Sequence, residues 1–256
     1  MKSKKGQLLF FTYTFLVENP SGFSRKNTLS KPLYLTSKLR QKLNLYRMET
    51  FERKKHWENI YQTKELKDVS WYEPNPQTSL DFFNQHNVSK TAKVIDIGGG
   101  DSFLVDHLLD LGYQDVTVLD ISESAIKRVK ERLGERAKRV KWIVSDAATF
   151  KPTEKYDFWH DRAAFHFLTD EDEISNYLET AKQNINSDGV LVLGTFSENG
   201  PKKCSGIDVK QYSEKTMTER LNNFFEKIKC ITIDHKTPFD TVQNFVFCSF
   251  KKLETI

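Results

Sequence analysis

The run Asp96-Ile97-Gly98-Gly99-Gly100-Asp101 joins acids to residues that lack a Cβ. Glycines in such a turn let a ligand approach the backbone and tolerate a positive φ. Some twenty residues later Asp120 closes a short apolar run, and a carboxylate at that spacing can accept both ribose hydroxyls of an adenosine. The bland alternative for Asp120 is a cap on the next helix. His160, Asp161, Arg162 and His166 form a further cluster, in which a His or Asp is able to take a proton from an acceptor within hydrogen-bond distance. The competing role there is an internal Asp161 to Arg162 pair or a helix cap.

These groups need elements that carry them to one place. From Lys93 onward short apolar runs alternate with helical patterns, the mark of βα units feeding a mainly parallel sheet. Strands are predicted at 94–97, 116–121, 140–144, 156–160 and 190–196, with helices at 101–111, 123–133, 171–185 and 214–225. Ser122 is placed to cap the second helix. Two more strands, 228–234 and 242–250, follow without an intervening helix, which implies an antiparallel pair at one edge of the sheet. The fold class is therefore α/β, a doubly wound and mainly parallel seven-stranded sheet with an antiparallel C-terminal edge hairpin. The glycine turn, Asp120 and the His160 cluster then fall at the carboxyl ends of strands, where open α/β sheets bind ligands.

The phosphate-binding alternatives fit poorly. The third glycine of a dinucleotide loop falls at Phe103, whose ring obstructs the close helix packing that a pyrophosphate requires. No Lys-Ser/Thr pair follows the glycines, so a Walker loop is also excluded. S-adenosylmethionine has no phosphate to cradle, and a glycine turn backed by acids suits it. The sequence resembles the class I S-adenosylmethionine-dependent methyltransferases, with their Rossmann-like fold, over about residues 48–253. The resemblance implies that Asp96, Gly98 and Gly100 hold the amino acid moiety of the cofactor. It places Asp120 at the ribose and Ile121 against adenine, with Asp146 and Ala147 of Ser145-Asp146-Ala147 at the adenine amino group.

The resemblance is closer to the branch containing small elongation-factor lysine methyltransferases and their bacterial relatives. There a Trp-x-x-x-Tyr and a later aromatic close over the cofactor, and Trp57, Tyr61 and Trp71 stand at those places, with Tyr72 adjacent. Core packing is the alternative for these rings. Where that branch has Asp-Lys-Gly, this chain has Asp161-Arg162-Ala163, so Arg162 is a candidate contact to cofactor or substrate. The expected reaction is methyl transfer to an N, O or S nucleophile of a small molecule or protein side chain, with His160, Asp161 and His166 as candidate catalytic groups and no metal. Protein lysine methylation and a non-catalytic cofactor-binding scaffold are the competing readings.

Composition narrows the setting. Hydrophobic residues at 38% and charged residues at 29% suit an ordinary soluble protein. The net charge of +4 is uneven: ten Lys and Arg against Glu18 alone give +9 before Met48, leaving −5 for the rest. An acidic body argues against a phosphate-tracking surface, so neither nucleic acid nor membrane is an expected partner. None of the seven prolines are adjacent, which removes the Asp/Asn-Pro-Pro-Tyr/Phe signature of many nucleic-acid methylases. Cys204, Cys230 and Cys248 lack C-x-x-C spacing, and neither a disulfide framework nor a zinc site is expected. Residues 1–47 read as a basic leader, disordered or targeting, and residues 48–256 as the methyltransferase domain. A cytoplasmic location is expected, or a mitochondrial one if the leader is a presequence.

Overall fold

The computed structural model describes residues 53–253. The leader expected at 1–47 and the boundary at Met48 lie outside the described residues.

A helix at residues 53–63, α1, is followed by α2 (Gln77–Gln85) and β1 (Lys93–Ile97). Then come α3 (Leu104–Asp110), β2 (Asp115–Asp120), α4 (Glu123–Leu133), β3 (Val140–Val144), β4 (Tyr156–Arg162), α5 (Glu171–Asn184) and β5 (Ile185–Phe196). A two-residue pair, β6 (Lys203–Cys204) and β7 (Ile207–Asp208), precedes α6 (Glu214–Leu221), β8 (Phe225–Lys236) and β9 (Val242–Lys252). The main sheet has seven strands in the order β3-β2-β1-β4-β5-β9-β8. The first five are parallel, while β9 and β8 run antiparallel at the edge. The expected architecture is the one observed.

Strands β1, β2, β4 and the second half of β5 are buried along nearly their whole length, as expected for parallel strands covered on both faces. One core packs α5 and α6 on the sheet through Ile174, Tyr177, Leu178, Met217 and Leu221; the opposite core uses Phe83 of α2, Leu108 of α3 and Val129 of α4. Chain order reverses between β1 and β4. A crevice therefore opens at the carboxyl ends of these two strands.

Several boundaries depart from the sequence reading, among them the earlier start of β5 at Ile185 and the longer β8, and two of them have clear local settings. The helix expected at 101–111, α3, starts at Leu104 rather than near Asp101, because Gly98 and Gly100 hold the turn at φ 66° and 48° and Ser102 Oγ then accepts the Leu104 N–H at 3.1 Å. The last helix ends at Leu221, and Phe225 already belongs to β8. The capping expectation holds, since Ser122 Oγ accepts the Ala125 N–H at 3.1 Å. The cysteine expectation needs correction. Cys230 and Cys248 are cross-strand partners on β8 and β9 and form a disulfide, with Cα atoms 4.1 Å apart. Strand pairing creates that contact, and short-range cysteine spacing does not reveal it.

Candidate functional site

The first turn is built so tightly that side chains are excluded from it. A Cβ on Gly98 would lie 2.5 Å from the Ala164 Cβ, and one on Gly100 would lie 2.5 Å from the Tyr61 hydroxyl and 3.2 Å from Asp120 Oδ2. Both positions also have positive φ, which costs an L-residue additional strain.

Acids surround this turn. Asp96, Asp101 and Asp120 are each at most 4% exposed. Asp120 Oδ1 accepts the Ser122 N–H at 2.8 Å, yet burial, with Asp101 and Asp96 nearby, pushes its carboxyl up to about 7. Burial also raises Asp101, opposed by the Arg128 and Arg132 guanidiniums. Asp146, just past β3, accepts the Ala148 N–H at 2.9 Å and faces Arg53 at 3.2 Å. The same Arg53 reaches Glu173 of α5 at 2.8 Å.

The aromatic residues of α1 and the segment after it form one cluster. Trp57 lies 6.3 Å from Tyr61, 5.7 Å from Trp71 and 5.0 Å from Phe167, centroid to centroid. Polar contacts hold α1 in place. Glu58 accepts from Ser122 Oγ at 2.7 Å and also bonds Ser124, while Arg128 donates to the Tyr61 and Lys64 carbonyls at 3.1 and 3.0 Å. Trp57, Tyr61, Trp71, Asp96, Gly98, Asp120, Ile121, Asp146, Ala147, His160 and Arg162 all border a single cleft. Gly100 underlies it through Tyr61 and Asp120.

The fourth-strand cluster divides between the two faces of the sheet, because alternate strand residues point oppositely. His160 and Arg162 face the cleft. His160 Nδ1 lies 2.7 Å from Asp96 Oδ1, and its Nε2 lies 2.9 Å from Ser79 Oγ. Arg162 pairs with Glu73 at 3.0 Å, rather than with Asp161, and stacks over Phe245 at 5.4 Å. Asp161 is not among the residues bordering the cleft. It accepts from the Ala164 and Phe165 amides at 2.9 and 3.0 Å and from the Tyr177 hydroxyl at 2.7 Å, and so shapes the turn after β4. His166 is buried between Phe167 and Phe196 and accepts the Phe196 N–H at Nδ1. Burial and Arg162 bring it down to about 3, which keeps the ring neutral near pH 7. It too lies outside the cleft lining.

Several lining residues carry no sequence signal of their own: Arg53, Glu73, Ser79, Cys204 and Gln243. Cys204 ends β6, and burial pushes its thiol up to about 11. Among the described residues no helix is long and apolar enough to cross a membrane.

Residues 94–189 match the family model described as a methyltransferase domain. The chain is 32% identical over 120 residues to the eEF1A lysine and N-terminal methyltransferase of Bos taurus, a stretch covering 46% of this chain and 17% of that protein. It is 25% identical over 151 residues to malonyl-[acyl-carrier protein] O-methyltransferase 1 of Ilyobacter polytropus, covering 55% of each. The chain therefore spans only part of the length of these curated relatives. Among solved structures, the 1,6-didemethyltoxoflavin-N1-methyltransferase of Burkholderia thailandensis superposes with a TM-score of 0.59 at 16% identity, over 88% of this chain and 94% of that one. A protein from echinomycin biosynthesis, described as converting a disulfide bond into a thioacetal group, gives 0.63 at 16% identity, over 78% and 92%.

Proposed function

We propose that this chain is a class I methyltransferase that moves a methyl group from S-adenosylmethionine to a nucleophilic N, O or S atom of a small molecule or protein side chain, a reading supported by the match of residues 94–189 to a methyltransferase domain. The observation that carries this reading is the convergence of Asp96, Asp120 and Asp146, from the ends of three adjacent strands, on one cleft floored by a glycine turn.

The donor set suits this cofactor. Three carboxylates offer acceptors for an ammonium, a ribose diol and an adenine amino group. Among the described residues, the guanidiniums bordering the cleft are already engaged, Arg53 by Asp146 and Glu173 and Arg162 by Glu73, so a pyrophosphate would find no free guanidinium among them. In this reading Asp96, Gly98 and Gly100 take the amino acid end, Asp120 the ribose, and Ile121, Asp146 and Ala147 the adenine. Trp57, Tyr61 and Trp71 cover the cofactor and exclude water.

When bound, S-adenosylmethionine supplies a sulfonium-activated methyl group. The protein's contribution is then mainly alignment, because an activated methyl needs an in-line nucleophile more than acid chemistry. Arg162, Phe167, Phe196, Gln243 and Phe245 also border the cleft and make the acceptor side in this reading. The test is transfer of radiolabelled methyl from S-adenosylmethionine by the purified chain into a metabolite extract and a protein extract. Label in either fraction identifies the acceptor class, and label in neither counts against the reaction.

A further inference from the structure

Three side chains at one corner of the cleft bond in series. Ser79 of α2, His160 of β4 and Asp96 of β1 are 1%, 1% and 3% exposed, and all three border the cleft. A carboxylate oxygen accepts, so His160 Nδ1 donates across the 2.7 Å contact to Asp96 Oδ1. In the neutral ring Nε2 then accepts the Ser79 hydroxyl across 2.9 Å. Asp96 and His160 are register partners in the parallel ladder, and the His160 ring packs 6.3 Å from Phe83. Buried polar groups are costly unless satisfied, and this chain satisfies each member through the next. The other Asp96 oxygen, Oδ2, lies against Gly99, 2.7 Å from where a Cβ would stand. The carboxylate is thus pinned at one oxygen by His160, while its other oxygen packs against the glycine turn.

We propose that Ser79 and His160 are positioning residues that hold the Asp96 carboxylate in the orientation that receives the ammonium of the cofactor's amino acid end. This rests on the cofactor reading above. Both ring nitrogens of His160 are engaged, so the ring acts through Asp96 and not as a base toward the acceptor.

The test compares two probes on the full chain: S-adenosylhomocysteine, and 5′-methylthioadenosine, which keeps the adenosine but lacks the amino acid portion. Ser79→Ala should weaken S-adenosylhomocysteine by roughly threefold and His160→Ala by roughly tenfold or more, as expected for one lost bond and for a broken chain. Affinity for 5′-methylthioadenosine should stay within about twofold, because no bond to the adenosine is touched. His160→Asn, whose amide nitrogen can stand in for Nδ1, should recover most of the loss, and Ser79→Ala carries the test if His160→Ala does not fold. Equal losses on both probes, or none on S-adenosylhomocysteine in the folded alanine variants, overturn the proposal while leaving the cofactor reading intact. Wild-type protein that binds neither probe overturns both.

Discussion

Arg53 lies 3.2 Å from Asp146 and joins the first described helix to the loop after β3, at the end of the cleft where the adenine is proposed to sit. The guanidinium spans two carboxylates, reaching Glu173 at 2.8 Å as well. Burial disfavours its charge, but Glu173 and Asp146 outweigh that and raise it above the ordinary arginine value.

Arg53→Ala should therefore cost about 2 kcal/mol in urea unfolding, because it leaves the buried Glu173 without its counter-charge. It should also weaken S-adenosylhomocysteine, since α1 loses an anchor over the cleft. A variant as stable as wild type would show that the bridge contributes nothing.

Gly98→Ala should be destabilising and should abolish cofactor binding. The new methyl meets the Ala164 Cβ at 2.5 Å on a backbone with φ near 66°, a combination expected to cost about 1–3 kcal/mol. Thermal unfolding and calorimetry on the same preparation check both effects, and a fully stable, binding-competent variant would contradict the packing described.

The Asp120 carboxyl predicts a pH dependence with a definite sign. Burial raises it to about 7, so the folded protein without cofactor retains a proton there that an unfolded aspartate releases near pH 4. The stabilisation from that proton is full at low pH and is lost as pH rises through about 7. The proposed ribose hydroxyls donate to the ionised form, so S-adenosylhomocysteine should bind more tightly at pH 8 than at pH 6, with proton release at the lower pH. Calorimetry in buffers of different ionisation enthalpy measures this release. The dependence should vanish in Asp120→Asn, and a flat wild-type profile would argue against a ribose at Asp120.

Asp161 and His166 should behave as structural residues. Asp161→Ala removes acceptors for two amides and the Tyr177 hydroxyl and should cost about 2–3 kcal/mol of stability, with S-adenosylhomocysteine affinity changed less than about twofold. A large loss of turnover at unchanged stability would restore a catalytic role for it.

The glycine turn and the acids Asp96 and Asp120 were legible in the sequence because each lies at a strand end set by local periodicity, whereas Asp146 was singled out only through the family resemblance. The division of the fourth-strand cluster follows from strand alternation, which puts His160 and Arg162 on the face opposite Asp161. Adjacency in the chain hides this. Arg53 to Glu173, Ser79 to His160 and Arg162 to Glu73 are pairings between distant segments, and no spacing rule reaches them. Cys230 and Cys248 belong to the same class, since the register of β8 against β9 brings them together.

The most direct test of the cofactor cleft is calorimetric titration of the purified full chain with S-adenosylhomocysteine, run beside NAD and repeated with Asp120→Ala. Wild-type protein should bind S-adenosylhomocysteine and not NAD. The variant should remain folded and lose at least about tenfold in affinity, because charge-assisted bonds to two hydroxyls disappear. NAD binding in place of S-adenosylhomocysteine, or unchanged affinity in a well-folded Asp120→Ala protein, would contradict the assignment.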